Sequence, residues 1–174
     1  MNTVNRLMFA AAICVLAVGC SRKVREVPPT ETTPPPATTA PTTPPGATTP
    51  GAYGPGDLDT DACLRQRVVY FDFDQDTLRP EFQNIVACHA KYLRDRPSSR
   101  MTLEGHADER GSREYNMGLG ERRGNGVSSA IQANGGSGTQ MSVVSYGEER
   151  PTCTDAGEGC WSRNRRVEIV YSAR

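Results

Sequence analysis

The sequence predicts an α/β fold: a two-layer sandwich in which a four-stranded mixed sheet carries two long helices on one face, preceded by a disordered tether. Three observations predict it. Periodic segments follow one another in the order β-α-β-α-β-β from Val68 onward, an order that packs helices against a single sheet. Ten of the 13 prolines crowd into residues 27–56, with many threonines and no aliphatic side chain larger than Val27, so that stretch cannot bury enough apolar surface to fold. A chain of 174 residues holds one modest core beside such a segment, but not two.

Residues 1–19 read as a secretion signal: a short polar start with Arg6, then an apolar run from Leu7 to Val18. That run is shorter than the roughly 20 apolar residues that cross a bilayer. Leu16-Ala17-Val18-Gly19-Cys20 resembles a lipobox, which makes Cys20 the lipid-bearing residue of a lipidated N-terminus, residues 20–26. Several acyl chains there would hold firmly, at roughly 0.8 kcal/mol per buried CH₂. The tether, residues 27–56, favours polyproline II and reaches on the order of 90 Å when fully extended at ~3.1 Å per residue. The folded domain is then residues 57–174.

Within it, Val68-Val69-Tyr70-Phe71-Asp72-Phe73 is the first strand, being β-branched and aromatic. Pro80 suits a first helical turn, after which Phe82, Ile85, Val86, His89 and Leu93 share one face and Pro97 marks the exit. His89, alone in that apolar stripe, reads as a packed core residue. Met101 to Gly105 is the second strand. Ser112 to Ala133 is the second helix, with Glu114 in its first turn and Asn134-Gly135-Gly136 as its stop. Gly124 and Gly126 each cost it roughly 1 kcal/mol relative to Ala, so packing on the sheet has to hold it. Met141 to Tyr146 and Arg166 to Tyr171 are the last strands, with a polar loop from Cys153 to Cys160 between them.

The formal net charge is zero, 20 basic against 20 acidic residues, so no overall field draws nucleic acid to this chain. Export to an oxidising compartment makes the remaining mature cysteines disulfide candidates. Cys153 and Cys160 bracket a loop with two glycines and form one expected pair; Cys63 and Cys88 follow by elimination.

The informative segment is Glu104-Gly105-His106-Ala107-Asp108-Glu109-Arg110-Gly111, which joins a strand end to a helix start. Such a junction offers free backbone N–H groups and the positive end of a helix dipole beside Asp108. On the helix that follows, Tyr115, Leu119, Arg123, Val127, Ala130 and Ile131 crowd one side, and Arg123 is the odd one out. A guanidinium on an apolar face needs an anionic partner. The residues leave two partners open: Asp108, in a structural salt bridge, or an incoming carboxylate, with Asp108 left for the ligand's ammonium.

Six blocks in order, Tyr70-Phe71-Asp72-Phe73-Asp74, Glu104 to Gly111, Glu114-Tyr115-Asn116, Leu119 to Arg123, Val144 to Gly147 and Asn164-Arg165-Arg166, resemble the OmpA-like domain of the peptidoglycan-associated lipoproteins of the Tol-Pal system. The resemblance spans about 105 residues. It implies an outer-membrane lipoprotein facing the periplasm that binds the diaminopimelate of uncrosslinked peptide stems. Asp108 would pair with the ligand's ammonium and Arg123 with its carboxylate, and Phe73, Asp74 and Leu119 would line the pocket. TolB and other Tol or outer-membrane proteins are the implied partners; no cofactor is expected beyond the lipid on Cys20. By composition Asn164-Arg165-Arg166 reads as a solvated charge run, whereas the resemblance has it open the last strand and frame the site. Gly124 and Gly126 depart from the usual alanines and put the rigidity of the second helix in question. The Cys-bracketed loop departs too, and its distance from the pocket in sequence makes it neutral.

Other classes fit less well. Asp72, Asp74, Glu104 and Asp108 could be cast as the paired acids of a glycosidase, but there is no nucleophile elbow, no HExxH and no serine or cysteine with an evident base. His106 has no partner that would make it a metal ligand or general base. Motor stators share such a domain but keep a membrane helix with an acidic residue, whereas here no acid precedes Glu26. An OmpA-like wall-binding lipoprotein outside the Tol system is the remaining alternative.

Overall fold

The structure is a computed structural model that describes residues 51–173. The signal peptide, Cys20 and the tether up to residue 50 lie outside the described residues. The sheet has four strands: β1 (Val68–Tyr70), β2 (Arg100–His106), β3 (Met141–Gly147) and β4 (Arg166–Ala173). They stand in the order β1-β4-β2-β3, with β2 and β3 parallel and β4 antiparallel to both of its neighbours. Two long helices, α2 (Gln83–Asp95) and α3 (Arg113–Ala133), make the second layer. Two short ones, α1 (Asp57–Thr60) and α4 (Glu158–Asn164), add to the expected order.

Alternation places Met101 and Leu103 of β2, with Val167 and Ile169 of β4, on the helix side. There they meet Ile85, Val86, Ala90 and Leu93 of α2 and Val127 and Ile131 of α3 in one core. His89 lies fully buried against it; its Nε2–H donates to the Gln66 carbonyl, 3.0 Å away, so its Nδ1 accepts from the Tyr171 hydroxyl at 2.9 Å. Burial lowers its pKa to about 4.

Helix α3 runs unbroken through Gly124 and Gly126. The Ser112 hydroxyl caps its start by accepting from the Tyr115 N–H at 3.2 Å. At its end Gly135, at φ +88°, and Gly136 return N–H bonds to the Gln132 and Ile131 carbonyls. Gly120 lets α3 touch the sheet: a Cβ on Gly105 of β2 would lie 1.9 Å from the Gly120 carbonyl oxygen. Gly124 serves the same approach, since a Cβ there would meet Val143 at 2.5 Å.

Packing extends slightly ahead of Asp57, where the Tyr53 ring lies tilted on that of Tyr92 and the Tyr53 N–H donates to Asp95 at 2.9 Å. The sequence reading needs correction in two places. The first strand stops at Tyr70, because the chain turns at Asp72–Gln75 with Asp74 in the left-handed region at φ 56°. The loop between the last strands contains α4. Cys63 is bonded to Cys88 and Cys153 to Cys160.

Candidate functional site

Because β4 runs antiparallel to both β1 and β2, and β3 runs with β2, the first three strands end at one edge of the sheet, where β4 begins. The turn after β1, the loop after β2, the first turns of α3 and the residue before β4 converge there. They enclose a cavity of about 210 Å³ whose lining includes Phe73, Asp74, Asp108, Arg110, Tyr115, Leu119, Arg123 and Arg165. Carboxyl ends of parallel strands are where open α/β sheets hold ligands.

Asp108 is only 3 % exposed, and three groups hold it there. Arg110 grips it with its backbone N–H and Nε on Oδ1, both at 3.1 Å, and with Nη2 on Oδ2 at 2.6 Å. Arg165 adds Nη1 on Oδ2 at 3.1 Å. Burial alone would raise the pKa of this carboxyl, but the bonds from Arg110 and Arg165 outweigh it and hold the group below the usual carboxylate range. The Asn116 amide fixes the segment by donating to the Asp108 carbonyl at 3.1 Å.

Arg123 is fully buried, and its partners within the chain are carbonyls, not the Asp108 carboxylate of the structural salt bridge. Nε donates to the Gln75 carbonyl at 2.8 Å, Nη1 to that of His106 at 2.8 Å and Nη2 to that of Asp72 at 3.1 Å. The salt bridge to Asp108 is absent among the described residues, where that acid belongs to Arg110 and Arg165. Carbonyl dipoles replace a counter-ion only in part. Burial, and then the nearby Arg165, lower the Arg123 pKa to about 10. A guanidinium has five N–H donors, so two remain beyond these three bonds, one on each Nη.

The remaining expected residues divide by burial. Leu119 is buried, but Phe73 stands 54 % exposed with the Arg110 guanidinium 3.9 Å from its ring centre. Asp74 accepts from the Tyr115 hydroxyl at the cavity edge. The run Asn164-Arg165-Arg166 is buried throughout, which overturns its reading as a solvated charge run. Nor is the Cys-bracketed loop remote. Its helix α4 places Glu158 against Arg165 and Trp161 against Arg110, with 4.3 Å from that guanidinium to the ring centre. Arg110 stands in the Glu104 to Gly111 segment without a role readable there, and Glu158 and Trp161 carried no distinguishing pattern in the sequence; only the fold brings all three to Asp108.

The four-stranded mixed sheet with two long helices on one face is an OmpA-like domain, and residues 70–165 match the OmpA family: the chain belongs to it. It is similar to the peptidoglycan-associated lipoprotein of Pseudomonas aeruginosa, 46% identical over 115 residues that cover 66% of this chain and 68% of that one. The protein of the same name from Legionella pneumophila is 41% identical over 119 residues, 68% of each chain. Among solved structures, the peptidoglycan-associated lipoprotein from Burkholderia pseudomallei superposes with a TM-score of 0.65 at 37% identity, covering 67% of this chain and 98% of that one. The C-terminal domain of Helicobacter pylori MotB, at 20% identity and a TM-score of 0.56 over 61% of this chain and 83% of that one, shares the fold.

Proposed function

We propose that this protein is a non-catalytic lipoprotein that fastens the outer membrane to peptidoglycan by holding the diaminopimelate of uncrosslinked stems between Asp108 and Arg123. One observation carries the reading: a buried carboxylate and a buried guanidinium line one cavity, and each is held by groups other than its opposite number. A ligand end bearing both an ammonium and a carboxylate suits such a pair. Three arginines face two aspartates in the lining, and Arg110 and Arg165 are already committed to Asp108. Arg123 is thus the cation for the ligand's carboxylate, through its two remaining N–H groups. The ligand's ammonium goes to Asp108, where the partly exposed Arg110 side chain yields or shares the acid. Phe73 and Leu119 supply apolar walls for the methylene chain between the two charges.

The names of its relatives and the lipobox-like run ending at Cys20 support a place in the outer membrane, facing the periplasm, and the resemblance to the Tol-Pal lipoproteins supports TolB as partner in that envelope and cell-division system. Pull-down on purified peptidoglycan tests the central claim. Asp108→Ala and Arg123→Ala each weaken retention by roughly 1.5–3 kcal/mol, the scale of a lost charged hydrogen bond. Retention at the wild-type level by both variants would sink it, and co-purification without TolB would place the protein outside the Tol system.

A further inference from the structure

We propose that the Cys153–Cys160 disulfide is a positioning element of the ligand site, acting on Asp108 through Glu158 and Trp161 of α4; this rests on the wall-binding reading above. Helix α4 has seven residues, is preceded by Gly157, which offers no side-chain cap, and is too short to hold itself in water. What fixes it is closure of the segment before it. Cys160, inside the helix, is bonded to Cys153. Asn164 closes the same loop by accepting from the Thr152 and Cys153 N–H groups at 2.9 and 3.2 Å and donating to the Cys153 carbonyl at 2.7 Å.

Two side chains transmit this constraint. Glu158 accepts from Arg165 and lies 3.6 Å from Arg110 Nη2. Trp161 covers the Arg110 guanidinium and anchors its own ring by donating from Nε1 to Glu109 at 3.0 Å. Arg110 therefore sits between the rings of Phe73 and Trp161 while its nitrogens hold Asp108. Freed from α4, both arginines lose their outer contacts, and the carboxylate they orient loses its fixed direction toward the cavity. The second disulfide is a matched control. Cys63–Cys88 ties the segment ahead of β1 to α2, beside the cluster of Leu58, Leu64 and Tyr92, and neither cysteine contributes to the cavity.

The test compares the whole mature protein, wild type, C153S/C160S and C63S/C88S, in titrations with a diaminopimelate-containing tetrapeptide. Trp161, the single tryptophan of the chain, reports by fluorescence. C153S/C160S binds about three- to tenfold more weakly, as expected of a loosened supporting shell. C63S/C88S stays within about twofold, as for a distant independent site. Titration of the Asp108 carboxyl by carbon NMR, which needs no ligand, moves upward in C153S/C160S alone, because the bonds that lower it slacken. Unchanged affinity and an unchanged Asp108 titration in a folded C153S/C160S overturn the proposal. Should that variant not fold, Glu158→Gln, which leaves the disulfide intact, decides by tetrapeptide affinity alone, because loss of a negative charge beside Asp108 itself lowers that carboxyl's pKa. Failure of the wild type to bind the tetrapeptide counts against the wall-binding reading instead, and the Asp108 titration still decides the role of the disulfide.

Discussion

Arg165 reaches across 57 positions of sequence to set its Nη1 3.1 Å from Asp108, while its Nε donates to the Phe71 carbonyl at 3.0 Å. One guanidinium at the mouth of β4 thereby ties the acid after β2 to the end of β1. With Arg165 only 4 % exposed, removing its counter-charge is costly. Asp108→Asn keeps the shape and removes the charge. Stability to urea falls by about 2–4 kcal/mol, somewhat below the usual cost of breaking a buried pair because Glu158 remains.

Arg123 staples the turn after β1 to the end of β2 through three carbonyls, using a planar fork that a lysine lacks. Arg123→Lys keeps the charge but offers a single nitrogen, so at least one of the two segments is released. A loss of about 1.5–3 kcal/mol in denaturant unfolding is expected. Amide exchange at residues 72–75 accelerates in the same variant, and unchanged exchange there would contradict the stapling role.

Stability also depends on pH through the chain's two histidines. Burial lowers His89 to about 4, and burial together with Arg166 lowers His106 to about 4. Both take up protons near pH 6.5 when unfolded, so the unfolded state binds more protons between about pH 4 and 6.5. Stability is full above that window and falls as pH drops through it, by up to about 1.4 kcal/mol per pH unit for each histidine. Replacing His89 with Gln halves the slope of unfolding free energy against pH, measured by urea melts from pH 7 to 5.

The contact between α3 and β2 leaves no room for one carbon. Gly105→Ala forces the helix off the sheet and lowers the melting temperature by roughly 10 °C, since a carbon pressed against backbone falls at the upper end of the about 1–3 kcal/mol that overpacking costs. Gly159→Ala, with open space around it, leaves melting unchanged or slightly raised.

The long elements are readable because their signals are redundant. Helix α3 survives four interior glycines since Ser112, Glu114 and the Asn134-Gly135-Gly136 stop agree about its ends, and β2 and β4 carry an apolar residue at every second position. Helix α4 is not readable: it has no apolar stripe, and its place depends on a disulfide and on Asn164. For the site, the identity of Asp108 and Arg123 is visible as a charged pair at a strand-helix junction. Their partners are not. The carbonyls of Asp72, Gln75 and His106 belong to every sequence alike, and Arg165 looks like a solvent-facing cation until the sheet order places it at the edge where three strands end.

The chain enters the domain beside Asp95 and Lys91, which hold the Tyr53 N–H and the Gly51 carbonyl, next to Tyr171 at the beginning of β2. The cavity lies past the other end of that strand, about 20 Å away at ~3.3 Å per residue. A pull between the entry point and a bound guest therefore runs along β2, which is flanked by β3 and β4 on its two sides. Its ladder bonds lie across the line of tension and must yield together in shear, not peel one after another. In the proposed anchoring role, load would fall in the direction in which a sheet is strongest.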